Sequence, residues 1–157
     1  TKTWSVLKGS GAPGQPPPLY QVTNSMVYDR ANDVFILFGG RCESCSPAIR
    51  GETWVYDLNT NTWTNMQPAV SPPARQQHTM VYDSDNGVVI AFGGRSVAGT
   101  QLNDTWVYDY PTNTWSPVNT PVAPSPRRLH GLAYDPVNRV SVTAGPVDIW
   151  QLELTPP

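Results

Sequence analysis

Charge is scarce in this chain: only 14% of its 157 residues are charged, the net charge is −2, and two lysines, Lys2 and Lys8, stand against eight arginines. A balance so near neutral gives no global electrostatic case for binding nucleic acid, and basic residues are not interleaved with aromatics as in single-strand grooves. Long apolar runs are also missing. The longest span about five residues, Val34 to Phe38 and Val88 to Phe92, against the roughly 20 that a helix needs to cross a bilayer. No segment shows a helical period, so helical architectures are excluded. Two cysteines cannot supply the four ligands of a structural zinc site. G-x-S-x-G and the P-loop are absent, as is the Ser-x-Asp-x-Gly turn of sialidases. Gly9, Gly11 and Gly14 spell G-x-G-x-x-G, but Pro13 and Pro16 to Pro18 forbid the helix that a dinucleotide site requires. No cofactor is expected. Without an initiating Met or a signal-like opening, Thr1 reads as a cut boundary.

What is abundant is proline (17) and glycine (12), with six Trp and seven Tyr. This is the composition of many short strands joined by turns. Gly51 to Trp63 reads GETWVYDLNTNTW, and Asn103 to Trp115 reads NDTWVYDYPTNTW. Trp54 to Trp106 and Trp63 to Trp115 are both shifts of 52 positions. The repeat predicts four strands per unit, a to d. Strand a is NSMVYD at 24–29, HTMVYD at 78–83 and HGLAYD at 130–135. Strand b is VFILFGG at 34–40, VVIAFGG at 88–94 and VSVTAG at 140–145. Strand c is TWVYD at 53–57 and 105–109, then IWQLEL at 149–154. Strand d ends at Trp63 or Trp115, and TKTW at 1–4 resembles it. Arg41 to Glu52 and Arg95 to Asp104 are expected as long b–c loops.

An apolar strand, a Gly-Gly doublet (Gly39-Gly40, Gly93-Gly94), a tyrosine strand (Tyr56, Tyr108) and a tryptophan (Trp63, Trp115) resemble the kelch repeat. The third repeat departs, with Ala144-Gly145 in place of the doublet. The resemblance implies an all-β propeller of about three four-stranded blades, half or a fragment of a larger ring. Residues 1–157 form one segment: 1–4 is strand d of a blade completed elsewhere, 19–63 blade 1, 75–115 blade 2 and 127–154 an incomplete blade 3. Three wedges do not close a ring. Either the chain is part of a longer propeller, or two copies join head-to-tail, Thr1–Trp4 of one pairing with Leu152–Leu154 of the other.

Alternating strands put the d–a and b–c loops on one face and the tight turns on the other. The loop face carries Lys8 and the candidate ligand residues Tyr20, Arg41, Arg50, Arg75, Arg95, Arg127 and Arg128. Two readings of the arginines stand open: Arg75, Arg127 and Arg128 rim the channel and fork onto carboxylates or sulfates, or they brace loop carbonyls. The turn-face aspartates, Asp29, Asp33, Asp57, Asp83, Asp85, Asp109 and Asp135, read as turn formers. His78 and His130 read as partners of neighbouring loops, and the Trp and Tyr repeats as core between blades. Cys42 and Cys45 are a disulfide candidate, with free thiols or a metal role as alternatives. Asn103-Asp104-Thr105 is an acceptor sequence for glycosylation that the repeat itself generates.

The expected function is a non-catalytic scaffold presenting a basic loop face to a protein or anionic glycan. Alternatives are a carbohydrate oxidase or epimerase whose site forms only in the full ring, and a structural repeat unit of an extracellular assembly. The arginine bias, the Asn/Thr/Pro-rich loops and the close cysteine pair lean toward an extracellular or periplasmic location.

Overall fold

A computed structural model describes residues 2–7, 14–22 and 24–154. Thr1, Lys8, Gly9 and Gly11 lie outside the described residues. Among the described residues the chain forms twelve strands and no helix, grouped in three antiparallel sheets. The first sheet is β1 (Met26–Asp29), β2 (Val34–Phe38), β3 (Thr53–Asp57) and β4 (Thr62–Asn65), paired in chain order. The second holds β5 (Arg75–Gln76), β6 (Thr79–Asp83), β7 (Val88–Ser96), β8 (Gln101–Asp109) and β9 (Thr114–Val118). There β7 receives both β5 and β6 on one edge and β8 on the other. The third is β10 (Gly131–Asp135), β11 (Val140–Ala144) and β12 (Ile149–Leu152). The innermost strands β1, β6 and β10 lie side by side.

Local chemistry explains the meander. Asp29, Asp57, Asp83 and Asp135 each accept backbone N–H groups two and three residues on, at 2.7–3.3 Å. Each carboxylate closes one tight turn. Asp33 and Asp85 do something else: they accept the hydroxyls of Tyr28 and Tyr134. Asp109 accepts from Thr112 Oγ1 at 2.5 Å.

The second b–c loop differs from its expected form. Arg95 to Asp104 is mostly ladder: β7 and β8 extend past a register shift at Phe92–Gly94, and only residues 97–100 remain as turn. This sheet also gains β5, so it has five strands instead of four. The d strands run beyond their tryptophans, to Asn65 and Val118. Lys2–Trp4 forms no strand, and Trp4 is fully exposed.

The core sits between the first two sheets. Val34, Ile36, Phe38 and Val55 meet Met80, Val89, Ala91, Tyr108 and Trp115 there. Continuous β-branched runs suit b strands, since β2 and β7 are covered on both faces. The glycine doublets set the blade spacing. Gly39 (φ +66°) and Gly93 (φ +64°) are left-handed, and a Cβ there would fall 2.6 Å from the Arg75 carbonyl oxygen or 2.7 Å from that of Arg127. The same carbonyls accept the N–H of Gly40 and Gly94, at 2.9 and 2.8 Å. Bare backbone at the end of one blade thus docks the entry to the next.

Candidate functional site

The loop face divides the seven candidates. Arg75 is wholly buried. Its guanidinium forks onto Asp104, with Nη1 to Oδ1 at 2.7 Å and Nη2 to Oδ2 at 2.6 Å, while Nη1 also reaches the Gly93 carbonyl and Nε that of Pro73. Arg127 repeats the arrangement one blade on, donating to Asp148 at 2.8 Å and to the Ser125 carbonyl. Both side chains are internal struts. Of the two readings, the contacts of Arg75 are those of a brace within its own blade, and Arg127 is braced in the same way, although its Nη1 has no partner among the described residues. Burial works to raise the Asp104 carboxyl, but Arg75 and the Trp106 indole outweigh it and hold it below the usual range. Arg127 and the Trp150 indole hold Asp148 low.

Arg50 is paired with Glu52 and donates to the Pro47 carbonyl. Arg95 ties its own hairpin through Gly99 O at 3.0 Å. Tyr20 and Arg41 exchange backbone hydrogen bonds as a bridge, and Arg41 pairs again with Ile49. Cys42 and Cys45 form a disulfide inside that same loop.

What the structure brings together is the inner rim. Gln21, Gln77 and Leu129 are each left-handed, at φ 54°, 58° and 55°. Gln77 N–H donates to Gln21 O at 3.3 Å, and Leu129 N–H to Gln77 O at 3.0 Å. A side-chain chain runs in parallel: Arg128 Nη1 to Gln77 Oε1 at 2.8 Å, then Gln77 Nε2 to Gln21 Oε1 at 3.2 Å. This continuous rim holds Arg128 at the surface, next in sequence to exposed Leu129, with exposed Tyr20 and Val22 flanking Gln21. Gln77 and the pairing of the Asp partners were missed in the sequence. Asp104 and Asp148 did carry a signal, an Asp two residues before a strand-c tryptophan in NDTW and VDIW. Gln21 holds the repeat position of Arg75 and Arg127, whereas Gln77 carried no signal, its counterpart in the third repeat being Leu129.

The two histidines lie beneath the rim. His130 Nε2 shares a 2.7 Å hydrogen bond with Thr79 Oγ1 on the neighbouring blade. His78 is fully buried against Phe38, and neither ring nitrogen has a hydrogen-bond partner. Burial, then the nearby Arg75, pushes His78 down to about 3; burial, then Arg127, pushes His130 down to about 4. Both are neutral at ordinary pH. No group of three metal-ligating side chains gathers among the described residues.

Antiparallel meanders of a self-repeating sequence, laid side by side by their inner strands, the first two carrying a glycine doublet at the junction with the next, are blades of a β-propeller. The chain belongs to the kelch-repeat family: the model of the KLHDC2/KLHL20/DRC7 Kelch-repeats domain matches residues 1–152. Such a domain is generally a protein-interaction module. Similar proteins include Acyl-CoA-binding domain-containing protein 4 of Arabidopsis thaliana, 32% identical over 132 residues, covering 83% of this chain and 18% of that protein. Human Host cell factor 1 is 29% identical over 143 residues, 81% of this chain and 7% of its own length. Dynein regulatory complex subunit 7 of Chlamydomonas reinhardtii is 30% identical over 101 residues, 62% of this chain and 8% of its own. The chain therefore spans only a small part of these relatives.

Proposed function

We propose that this kelch segment is a non-catalytic docking scaffold, and that it binds a protein partner through the inner rim of its loop face. Arg128 is the anchor. The observation that carries the reading is the division of labour among the arginines: Arg75 and Arg127 are locked inside, whereas Arg128 is exposed and held by Gln77. Exposed apolar groups flank the rim residues in sequence: Leu129, 55% exposed, follows Arg128, and Tyr20 (54%) and Val22 (37%) flank Gln21. A cation among exposed aromatic and aliphatic groups suits a protein surface offering a carboxylate within an apolar patch, more than a uniformly polar anionic glycan. Rigid blades place these groups in fixed register, which lowers the ordering cost of binding. The Cys42–Cys45 bridge fits an extracellular or periplasmic setting. An enzymatic reading draws no support from the described residues, where no metal-ligating cluster assembles and the one hydroxyl–imidazole pair, Thr79–His130, is buried between blades.

The test is binding to an immobilised peptide array containing acidic-apolar sequences. Arg128→Ala and Tyr20→Ala each weaken the captured peptides at least about tenfold, with melting temperature unchanged. Arg139→Ala, on the turn face, changes nothing. Loss of binding in Arg139→Ala, with Arg128→Ala unaffected, overturns the reading.

A further inference from the structure

Each inner strand is entered through a loop that carries proline. By repeat position, Pro18-Leu19-Tyr20-Gln21 corresponds to Pro72-Pro73-Ala74-Arg75 and to Pro124-Ser125-Pro126-Arg127. In the second and third loops the arginine turns back on its own backbone. Arg75 Nε donates to the Pro73 carbonyl and Arg127 Nε to that of Ser125, both at 3.0 Å. The first loop has Gln21 in that place, and Gln21 Oε1 accepts from Gln77 instead. The corresponding carbonyl, that of Leu19, accepts no hydrogen bond among the described residues, and neither do those of Pro17 and Pro18.

The first loop differs a second time. It runs Pro16-Pro17-Pro18-Leu19-Tyr20, and the tyrosine stands where the other loops have Ala74 and Pro126. Three successive prolines fix φ near −65°, remove three N–H groups and keep the preceding residues out of the helical region. Pro16–Leu19 is accordingly neither helix nor strand, and polyproline II is the conformation such a run adopts. That ridge repeats every three residues, so Pro17 and Tyr20 stand one turn apart. The segment is fastened from beneath. Pro16 is buried, Leu19 Cδ2 would lie 3.6 Å from a Cβ on Gly40, and the Tyr20 backbone is bridged to Arg41. Pro18 is exposed, and so is Tyr20, at 54%.

We propose that Pro17-Pro18-Leu19-Tyr20 is itself a ligand, read by a partner module of the WW type. Such a module lays a proline pair in an aromatic groove and takes the tyrosine ring beside it. The unpaired carbonyls of Pro17 to Leu19 offer acceptors to donors on the groove wall. Prolines alone would say nothing, since all three loops have them. The exposed tyrosine and the unpaired carbonyls are what set the first loop apart. Its fastening to Gly40 and Arg41 holds the ridge in place before binding, which lowers the ordering cost. Here the chain is what is recognised, so the inference does not rest on the Arg128 reading.

The test is titration of the whole chain with an isolated WW domain that binds Pro-Pro-x-Tyr peptides, followed by calorimetry. The domain binds one to one, and a free peptide of residues 14–22 competes. Pro18→Ala and Tyr20→Ala each weaken binding about tenfold or more, with melting temperature unchanged. Arg128→Ala binds the domain as wild type does. Pro18→Ala still captures the acidic-apolar array peptides, which separates this contact from the inner rim. A free peptide that binds while the whole chain does not would show the segment held out of reach, and that overturns the proposal. So does binding indifferent to both substitutions in the chain and in the peptide. Loss of array capture with domain binding intact counts against the Arg128 reading and supports this one as independent.

Discussion

Arg75 and Arg127 occupy one place in consecutive repeats and make one contact, an ion pair to the aspartate that also accepts a tryptophan indole. The pair ties the entry of strand a to the start of strand c within each blade. Removing the arginine strands a carboxylate at a partly buried site. Arg75→Ala is therefore expected to destabilise the fold by about 2–4 kcal/mol in urea denaturation. Arg75→Lys restores little of that, since a point charge cannot replace a fork onto two oxygens plus two carbonyls. This reverses the simplest reading of a basic loop face, where such arginines would bind ligand at no cost to stability. The sequence supplied the residue types and their recurrence. It did not say which way each guanidinium points, because that is set by an aspartate 29 residues away in one blade and 21 in the next. The tryptophans divide similarly. Trp106 and Trp150 cap the aspartates, whereas Trp115 crosses to the neighbouring sheet.

At the level of strands and loops, the repeat was legible because turn chemistry is local. Asp-x-x-Asn turns, β-branched b strands and Gly-Gly doublets each act within a few residues. The second b–c connection was not legible. Its conversion into ladder depends on β5, a two-residue strand that only pairs once the preceding loop has folded back onto β7. The doublets couple these elements across blades. Gly93→Ala forces a Cβ onto the Arg127 carbonyl from a left-handed backbone, so it is expected to cost about 2 kcal/mol or more. The loss registers in hydrogen exchange of the third sheet before the first, since the contact joins the second blade to the third. Uniform loss of protection through all three sheets would count against that coupling.

For the molecule as a whole, the two histidines link folding to pH. Both are neutral when folded, His78 down to about 3 and His130 down to about 4, while an unfolded histidine takes up a proton near its ordinary value of 6.5. Above that value neither state is protonated and nothing is lost. As pH falls below it, the unfolded chain binds protons that the folded chain refuses, so stability declines from about pH 6.5 toward 4. Melting curves across that window should show the decline, and the His78→Gln, His130→Gln double variant should flatten it. An unchanged slope in the variant would assign the effect to other groups. Below about 4 the paired carboxylates Asp104 and Asp148, held low by their arginines, add their own loss.

The order of the a, b, c and d strands, the turn positions and kelch membership followed from the order of residues alone, because they rest on periodicity two, on turn dihedrals and on a repeat that copies itself. Which arginine is strut and which is exposed, where the rim glutamines meet, and that a small, largely apolar cavity lies between the second and third sheets were decided only in three dimensions. Those features depend on side chains from different blades meeting at distances that no local pattern encodes.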